Sequence, residues 1–441
     1  MSLASSAVAG APVRIDAVEL APRGERLHAN LEVPLGGEPV DGFCVPLAGW
    51  ALAPDGAHVA IQIGDGRRVL RRLARRIARA DIEAAYPQLP GAARAGFSLA
   101  FDALKLPAQF ELHVGGIVGD GLTPEPIACV RGTRRRFEPL TGAGPAPLTV
   151  TTLGRTGSTL LMTLLSLHHA IGAFNPVAYD SRPFAYELDA AIAAASPGSR
   201  LRLLDSTAQG EAWWLGREPV PVEALHRLDD ETREMLLGAP VERLLRDAVA
   251  RAAGFARELT ADEERGEPRY VAEKCWPGHV PRLLSELCAD GRELFLVRDF
   301  RDVLASMLAF NAKRGYAAFG REHVEDDAQF VARLAGDVEA LAASWRERQD
   351  RALLVRYEEL IEDPAATLTR VLEHLELDGT PALVGAIVER ADALLESTRL
   401  QHRTVQEVSA SSGRWRTDLP PALREAAEQA FAQPLRELGY A

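Results

Sequence analysis

Through the first third of the chain, apolar and polar positions alternate with a period of two. Val13 to Leu20, Val45 to Leu52, Val59 to Ile63, Phe97 to Phe101 and Phe110 to Val118 are short runs of this kind, with turn signals such as Pro54-Asp55-Gly56 and Gly64-Asp65-Gly66 between them. Regularly spaced short strands predict a β-sandwich over residues 13–140. Residues 1–12 lack the basic start and apolar core of a signal peptide and read as a disordered leader. Thr141 to Pro147 reads as a Gly/Pro linker. The pattern then changes. From Leu148 to the end at residue 441, short apolar runs at Leu148–Leu153, Leu201–Asp205, Tyr270–Glu273, Glu293–Val297 and Leu353–Arg356 alternate with segments of helical periodicity. That predicts an α/β domain around a central parallel sheet, whose ligand sites lie at the carboxyl ends of the strands. Val220 to Glu264 reads as helical, with Leu236, Val241, Leu244, Leu245 and Val249 along one face. This insertion is either the wall of a cleft or plain packing.

Composition narrows the classes of function. A hydrophobic share of 47% and a charged share of 25% are those of an ordinary globular protein. The net charge of −12 argues against a nucleic-acid partner, which needs a broad basic face. No apolar run is long enough to span a bilayer, so no transmembrane segment and a cytoplasmic location are expected. Cys44, Cys129, Cys275 and Cys288 have no CxxC spacing, which signals neither a disulfide framework nor a zinc motif. Arg67, Arg68, Arg71, Arg72, Arg75, Arg76 and Arg79 read as a solvated strand edge or short helix face, with an anion-binding patch as the alternative. The only lysines are Lys105, Lys274 and Lys313, so a lysine at a strand end stands out.

The most informative stretch is Leu148 to His168, LTVTTLGRTGSTLLMTLLSLH. A β-rich run turns through Gly154-Arg155-Thr156-Gly157-Ser158-Thr159 into an apolar helix. Backbone N–H groups, a helix N-terminus and two hydroxyls then face one spot, which is a cradle for an anion. A Walker A loop would place a lysine directly after the second glycine, and here Gly157 is followed by Ser158. A magnesium-dependent NTPase is therefore disfavoured, and no metal is expected. In Leu294 to Asn311, LFLVRDFRDVLASMLAFN, a strand delivers Arg298 and a helix starts near Phe300. Ser306, eight residues on, is placed to converge with Arg298 on a second anion. Tyr270 to His279 carries Glu273 and Lys274 at a strand end, with His279 near the next helix start.

Arg155 to Leu161 resembles the 5′-phosphosulfate loop, [KR]-[ST]-G-[TS]-[TS], of sulfotransferases that use 3′-phosphoadenosine 5′-phosphosulfate (PAPS). Arg298-Asp299-Phe300-Arg301-Asp302 with Ser306 is similar to the family's 3′-phosphate motif, R-[ND]-P-[RK]-D-x-x-x-S, departing from it only in Phe300 for proline. Leu353 to Pro364 resembles the family's RYEDL-x-x-DP element, which puts Tyr357 near the adenine, and Ser411 to Leu419 (SSGRWRTDL) resembles its C-terminal Gly/Arg/Trp segment, with Gly413 and Arg414 as 3′-phosphate contacts.

The resemblance covers roughly residues 148–441 and implies a P-loop-like domain that binds PAPS without metal. It implies that Arg155, Thr156, Gly157, Ser158 and Thr159 hold the 5′-phosphosulfate, that Arg298 and Ser306 hold the 3′-phosphate, and that Lys274 stabilises the transition state of sulfuryl transfer to a hydroxyl or amine. Family members draw the general base from a glutamate after the first helix or from a histidine after the strand-end lysine. Glu187 is the first choice here and His279 the second, with Asp180 and Glu273 as further candidates. Gly49 to Leu52 and Tyr86 to Gly91 resemble β-sandwich modules that precede bacterial transferase domains, which makes a carbohydrate or glycolipid the expected acceptor. The alternatives are a non-catalytic nucleotide-binding scaffold and a small-molecule kinase.

Overall fold

The turn signals and alternating runs of the N-terminal third close into two antiparallel sheets. The structure is a computed structural model that describes residues 11–22, 24–40, 42–74, 77–121, 123–142, 144–174, 179–195, 229, 231–232, 238–260, 266–402 and 409–440. Within these, the chain divides into two compact units, Met1–Phe137 with Asp189–Asp247, and Glu138–Leu188 with Ala248–Ala441.

The first unit holds β1 (Val13–Leu20), β2 (His28–Val33), β3 (Pro39–Val40), β4 (Cys44–Leu52), β5 (Val59–Gly64), β6 (Val69–Leu73), a short helix α1 (Ala80–Ala85), β7 (Gly96–Asp102), β8 (Gln109–Val118) and β9 (Glu125–Arg134). One sheet has six strands in the order β3-β1-β9-β8-β5-β6 and the other has three in the order β2-β4-β7. Val13, Ile15, Val45, Leu47, Ile61, Leu112, Val114 and Val130 are buried, as alternation requires of one face of each strand. Strands β2, β3, β6 and β9 are additional to the predicted set. Edge strand β6 has no fully buried residue, so it shows no alternation to read. In β9 the alternation is broken by Pro126 and Gly132. Of the arginine-rich run, Arg71 and Arg72 lie on this edge strand; among the described residues Arg68 pairs with Asp65, Arg72 with Gln62, and Arg79, just before α1, with Glu32 and Asp81.

The second unit is built on five parallel strands, β10 (Ala146–Thr152), β11 (Ile171–Gly172), β12 (Tyr270–Cys275), β13 (Arg292–Val297) and β14 (Ala352–Arg356), in the order β11-β12-β10-β13-β14. Ala146 and Pro147, expected in the linker, belong to β10 and pair with Tyr270 and Val271. The expected strand at 201–205 and much of the expected helical stretch at 220–264 lie outside the described residues, as does most of the expected leader. The helices are α2 (Ser158–Ser166), α3 (Pro183–Ala195), α4 (Ala239–Thr260), α5 (His279–Leu287), α6 (Phe300–Arg314), α7 (Asp327–Arg348), α8 (Tyr357–Glu362), α9 (Pro364–His374), α10 (Pro381–His402), α11 (Trp415–Asp418) and α12 (Pro421–Glu437).

Strand alternation splits this core in two. Leu148, Val150, Tyr270, Ala272, Leu294 and Leu296 pack with Leu161, Leu164 and Leu165 of α2 and with Leu368 and Val371 of α9. On the other face Phe295 and Val297 pack with Phe300 and Val303 of α6, Phe330 of α7 and Phe431 of α12. Strand β10 is central, with β12 on one side and β13 on the other. The chain therefore leaves β10 and β13 in opposite directions, the switch point at whose carboxyl ends α/β sheets of this kind bind their ligands.

Candidate active site

Three segments meet at the carboxyl end of β10. The first is the loop to α2. Arg155 and Gly157 both take positive φ, 66° and 88°, which folds the chain back tightly before Ser158. Glycine is required at 157 on two counts. The left-handed backbone disfavours a side chain, and an added Cβ would lie 2.3 Å from Cδ2 of Tyr357. No side chain caps α2. Its first N–H groups, those of Ser158 and Thr159 among them, are thus left for an external acceptor. Thr156 is fully buried, and its hydroxyl bonds to the Leu153 carbonyl at 2.9 Å and to Thr152 Oγ1 at 2.6 Å. Its side chain braces the loop and does not face the cradle.

The second segment runs from β13 into α6. Asp299 caps the helix by accepting from Arg301 N–H at 3.0 Å and pairs with the Arg301 guanidinium. Arg298, 4% exposed, donates from Nη1 to the Arg155 carbonyl at 2.9 Å and from Nη2 to the Ser411 carbonyl at 2.6 Å, with its guanidinium carbon 4.6 Å from the centre of the Tyr357 ring. Its Nε is buried with no hydrogen-bond partner among the described residues. Ser306, almost fully buried, accepts from Arg155 Nε at 3.2 Å. The Arg155 guanidinium sits over the Phe310 ring at 4.7 Å. Burial, and then the charges of Arg298 and Arg414, push the Arg155 pKa down to about 10. Three guanidiniums gathered in a part-buried space repel one another, and an anion placed among them would relieve that repulsion.

The third segment is 411–415. Asp302, fully buried on α6, accepts from Gly413 N–H at 2.6 Å and from Trp415 N–H at 2.9 Å, which fixes this stretch over Arg298. Ser411 Oγ and Tyr357 OH lie 2.9 Å apart. Arg414 is held by Asp418 at 2.6 Å. Trp415 lies between the guanidiniums of Arg301 and Arg416. The sequence placed Asp302 in the 3′-phosphate motif and Ser411 in the C-terminal segment but gave neither a role of its own. The signal for Asp302 was its place in the first turn of the helix that follows Arg298.

Next to this cluster, β12 ends beside β10, with Lys274 paired in register to Val150. Alternation carries Lys274 to the face that holds Tyr270 and Ala272, the face covered by α2. Its ammonium is 2.7 Å from Asp180 Oδ1 and only 13% of its side chain is exposed. Glu273 points the other way and is fully buried. It accepts from the N–H groups of Phe184 and Ala185 at 3.0 and 2.9 Å, capping α3. Burial raises its pKa to about 7 against the lowering effect of those bonds. Glu187, on α3, is paired with Arg251 at 3.0 Å. His279 is the first residue of α5 and half-buried. The structure therefore brings together Arg155, Gly157, Ser158, Thr159, Arg298, Ser306, Tyr357, Gly413 and Arg414, and sets Lys274 with Asp180 at the neighbouring strand end. It turns Glu273 inward and engages Glu187 elsewhere.

A sequence profile described as the sulfotransferase family matches residues 147–381. No curated protein sequence matches the chain. Among solved structures, mouse sulfotransferase SULT7A1 complexed with PAP is 11% identical, aligned over 68% of this chain and 87% of its own, with a TM-score of 0.35. Sulfotransferase STF9 from Mycobacterium avium is 18% identical over 67% of this chain and 77% of its own, TM-score 0.34. Retinol dehydratase in complex with androsterone and the inactive cofactor PAP is 15% identical over 74% and 89%, TM-score 0.34.

Proposed function

Since the chain belongs to the sulfotransferase family, we propose that it binds PAPS among Arg155, Arg298 and Arg414 and transfers the sulfuryl group to an acceptor hydroxyl or amine. The observation that carries this is the buried Arg298. Its two terminal nitrogens are tied to loop carbonyls, while its Nε has no partner among the described residues. A buried donor of this kind needs an acceptor, and a phosphate oxygen supplies one without displacing the clamp. The tight approach of Gly157 to Tyr357 and the uncapped start of α2 fit a phosphosulfate held by backbone N–H groups.

When bound, the donor supplies a sulfuryl group on an anhydride whose leaving group is a phosphate. Gly157, Ser158 and Thr159 hold the 5′ end through N–H and hydroxyl donors, with Arg155 adding charge. Arg298, Ser306 and the Gly413-Arg414 turn hold the 3′-phosphate, and Tyr357 borders the nucleoside. With the donor bound, Lys274 would exchange its contact with Asp180 for the donor and supply the charge that neutralises the leaving phosphate. Asp180, which also contacts Arg182 at 3.5 Å, would then accept the proton of the attacking acceptor hydroxyl at the oxygen that Lys274 leaves. This moves the base from Glu187 to Asp180, because the Glu187 carboxylate is taken by Arg251 and the Asp180 carboxylate lies against Lys274.

A carbohydrate or glycolipid is the acceptor class we favour. Trp276, 48% exposed and two residues beyond Lys274, offers a flat apolar face at the strand end, of the kind that covers the apolar face of a sugar ring.

Calorimetric titration with 3′-phosphoadenosine 5′-phosphate (PAP), with and without magnesium, tests the donor site. Metal-independent binding that weakens at least about 100-fold in Arg298→Ala, roughly 3 kcal/mol, and also falls in Ser306→Ala is expected. Absence of binding overturns the reading. For the base, Asp180→Asn is expected to lower the rate at which an acceptor is sulfated by about 10²–10⁴-fold, with PAP affinity retained and Glu187→Gln near wild type. The opposite ranking would return the role to Glu187.

A further inference from the structure

Outside the nucleotide site, the solvent face of the six-stranded sheet carries a cluster that neither the family nor the motifs account for. Glu111 and His113 lie two residues apart on β8 and so share a face, and the register sets His113 directly opposite Cys129 of β9. One ligand atom from each of the three lies within 4.8 Å of the others. His113 Nε2 and Glu111 Oε1 are already 2.6 Å apart. Gly66 comes so close to His113 that a Cβ on it would lie 3.0 Å from Nε2, so the ring is bounded from the turn side. Independently of these ligands, a cavity of about 560 Å³ opens on this spot. Its walls include His113, Cys129, Glu19, Gln62 and Arg68.

We propose that Glu111, His113 and Cys129 form a binding site for a zinc-type divalent ion, with its fourth coordination position open to the cavity. The donor set is an imidazole nitrogen, a carboxylate oxygen and a thiolate sulfur, the mixture that suits zinc and not magnesium or calcium. Three protein ligands with one open position are the arrangement of sites that bind a water or a further ligand on the metal. Around a tetrahedral ion with bonds of about 2.0–2.3 Å, the ligand atoms stand roughly 3.5 Å apart. Reaching that spacing requires the 2.6 Å Glu111–His113 contact to open.

One of the three ligands already has an outer partner. Glu111 meets His113 through Oε1 and receives Arg131 Nε on Oε2 at 2.8 Å, so the ion replaces the first contact and leaves the second as the bond that orients the ligand. Arg131 in turn is balanced by Glu19 at 2.5 Å. On binding, the sulfur–hydrogen bond of Cys129 breaks, a sulfur–metal bond forms, and the proton passes to solvent. Glu111 and the thiolate then neutralise the ion, and Arg131 neutralises Glu19.

The test uses the full chain, stripped with a chelator and titrated with cobalt(II) as a coloured substitute and with zinc in competition with a chromophoric chelator. The expected result is one ion per chain and a thiolate-to-cobalt charge-transfer band that disappears in Cys129→Ser. His113→Ala and Glu111→Gln, both at exposed positions, are expected to weaken zinc by at least about 10-fold, and Arg131→Gln by about 10–100-fold through loss of the orienting bond. Circular dichroism confirms that each variant is folded, and if Cys129→Ser is not, the other two decide. PAP binding should be unchanged throughout. No charge-transfer band, a band that survives Cys129→Ser, or zinc affinity indifferent to His113→Ala and Glu111→Gln would overturn the proposal.

Discussion

Gly157 shows how much one position can settle. Its backbone conformation disfavours any side chain by about 1–2 kcal/mol, and the ring of Tyr357 occupies the place where a methyl group would go. Gly157→Ala must therefore shift either the loop or Tyr357, and the loop is bound through Arg155 to Arg298. PAP affinity is expected to fall at least about 10-fold, with a loss in stability of roughly 1–3 kcal/mol, measured by calorimetry and by thermal melting. An alanine variant with wild-type affinity would mean that the cradle is not where the ligand's phosphate sits. Arg298 is legible as a strand-end arginine, yet its clamp on two carbonyls is not, since the carbonyls belong to residues 143 and 113 positions away.

At the scale of elements, strand alternation separates the two polar residues that end β12. Lys274 goes to the face of α2 and reaches Asp180, whereas Glu273 goes inward and caps α3. A buried acid whose folded pKa is raised, here to about 7 from an ordinary 4.5, favours the folded state fully only while it is protonated. The contribution is complete below pH about 4.5 and is lost as pH climbs through about 7, so stability from this group declines across that window. The loss is on the order of 3 kcal/mol. Glu273→Gln is expected to flatten the corresponding fall in melting temperature between pH 5 and 8, at the expense of one of the two bonds to α3. An unchanged slope would show that Glu273 is ionised throughout. Helix α6 illustrates another division of labour: Phe300 packs edge-on against Phe431 in the core, while Asp302, two residues on and so on the opposite side of the helix, holds the 413–415 backbone.

For the whole molecule, the proposed donor site draws only on the second unit, from residues 154–159, 274, 298–306, 357 and 411–415. Hydrogen exchange with saturating PAP is expected to slow those segments and to leave strands β1 to β9 unchanged, and protection concentrated in the first unit would contradict the assignment. The antiparallel strands with clean alternation, the parallel α/β unit, the glycine turn before α2 and the family were legible along the chain, because these depend on local periodicity and on residues close together in sequence. What each polar side chain does became visible only in the packed fold. Burial and strand register turned Glu273 inward, gave Glu187 to Arg251, set Asp180 on Lys274 and drew Asp302 to the C-terminal turn. Register likewise joined His113 to Cys129 across β8 and β9. Spacing along the chain carries no record of such pairs, since the partner of a side chain is fixed by which strands and helices come to lie side by side.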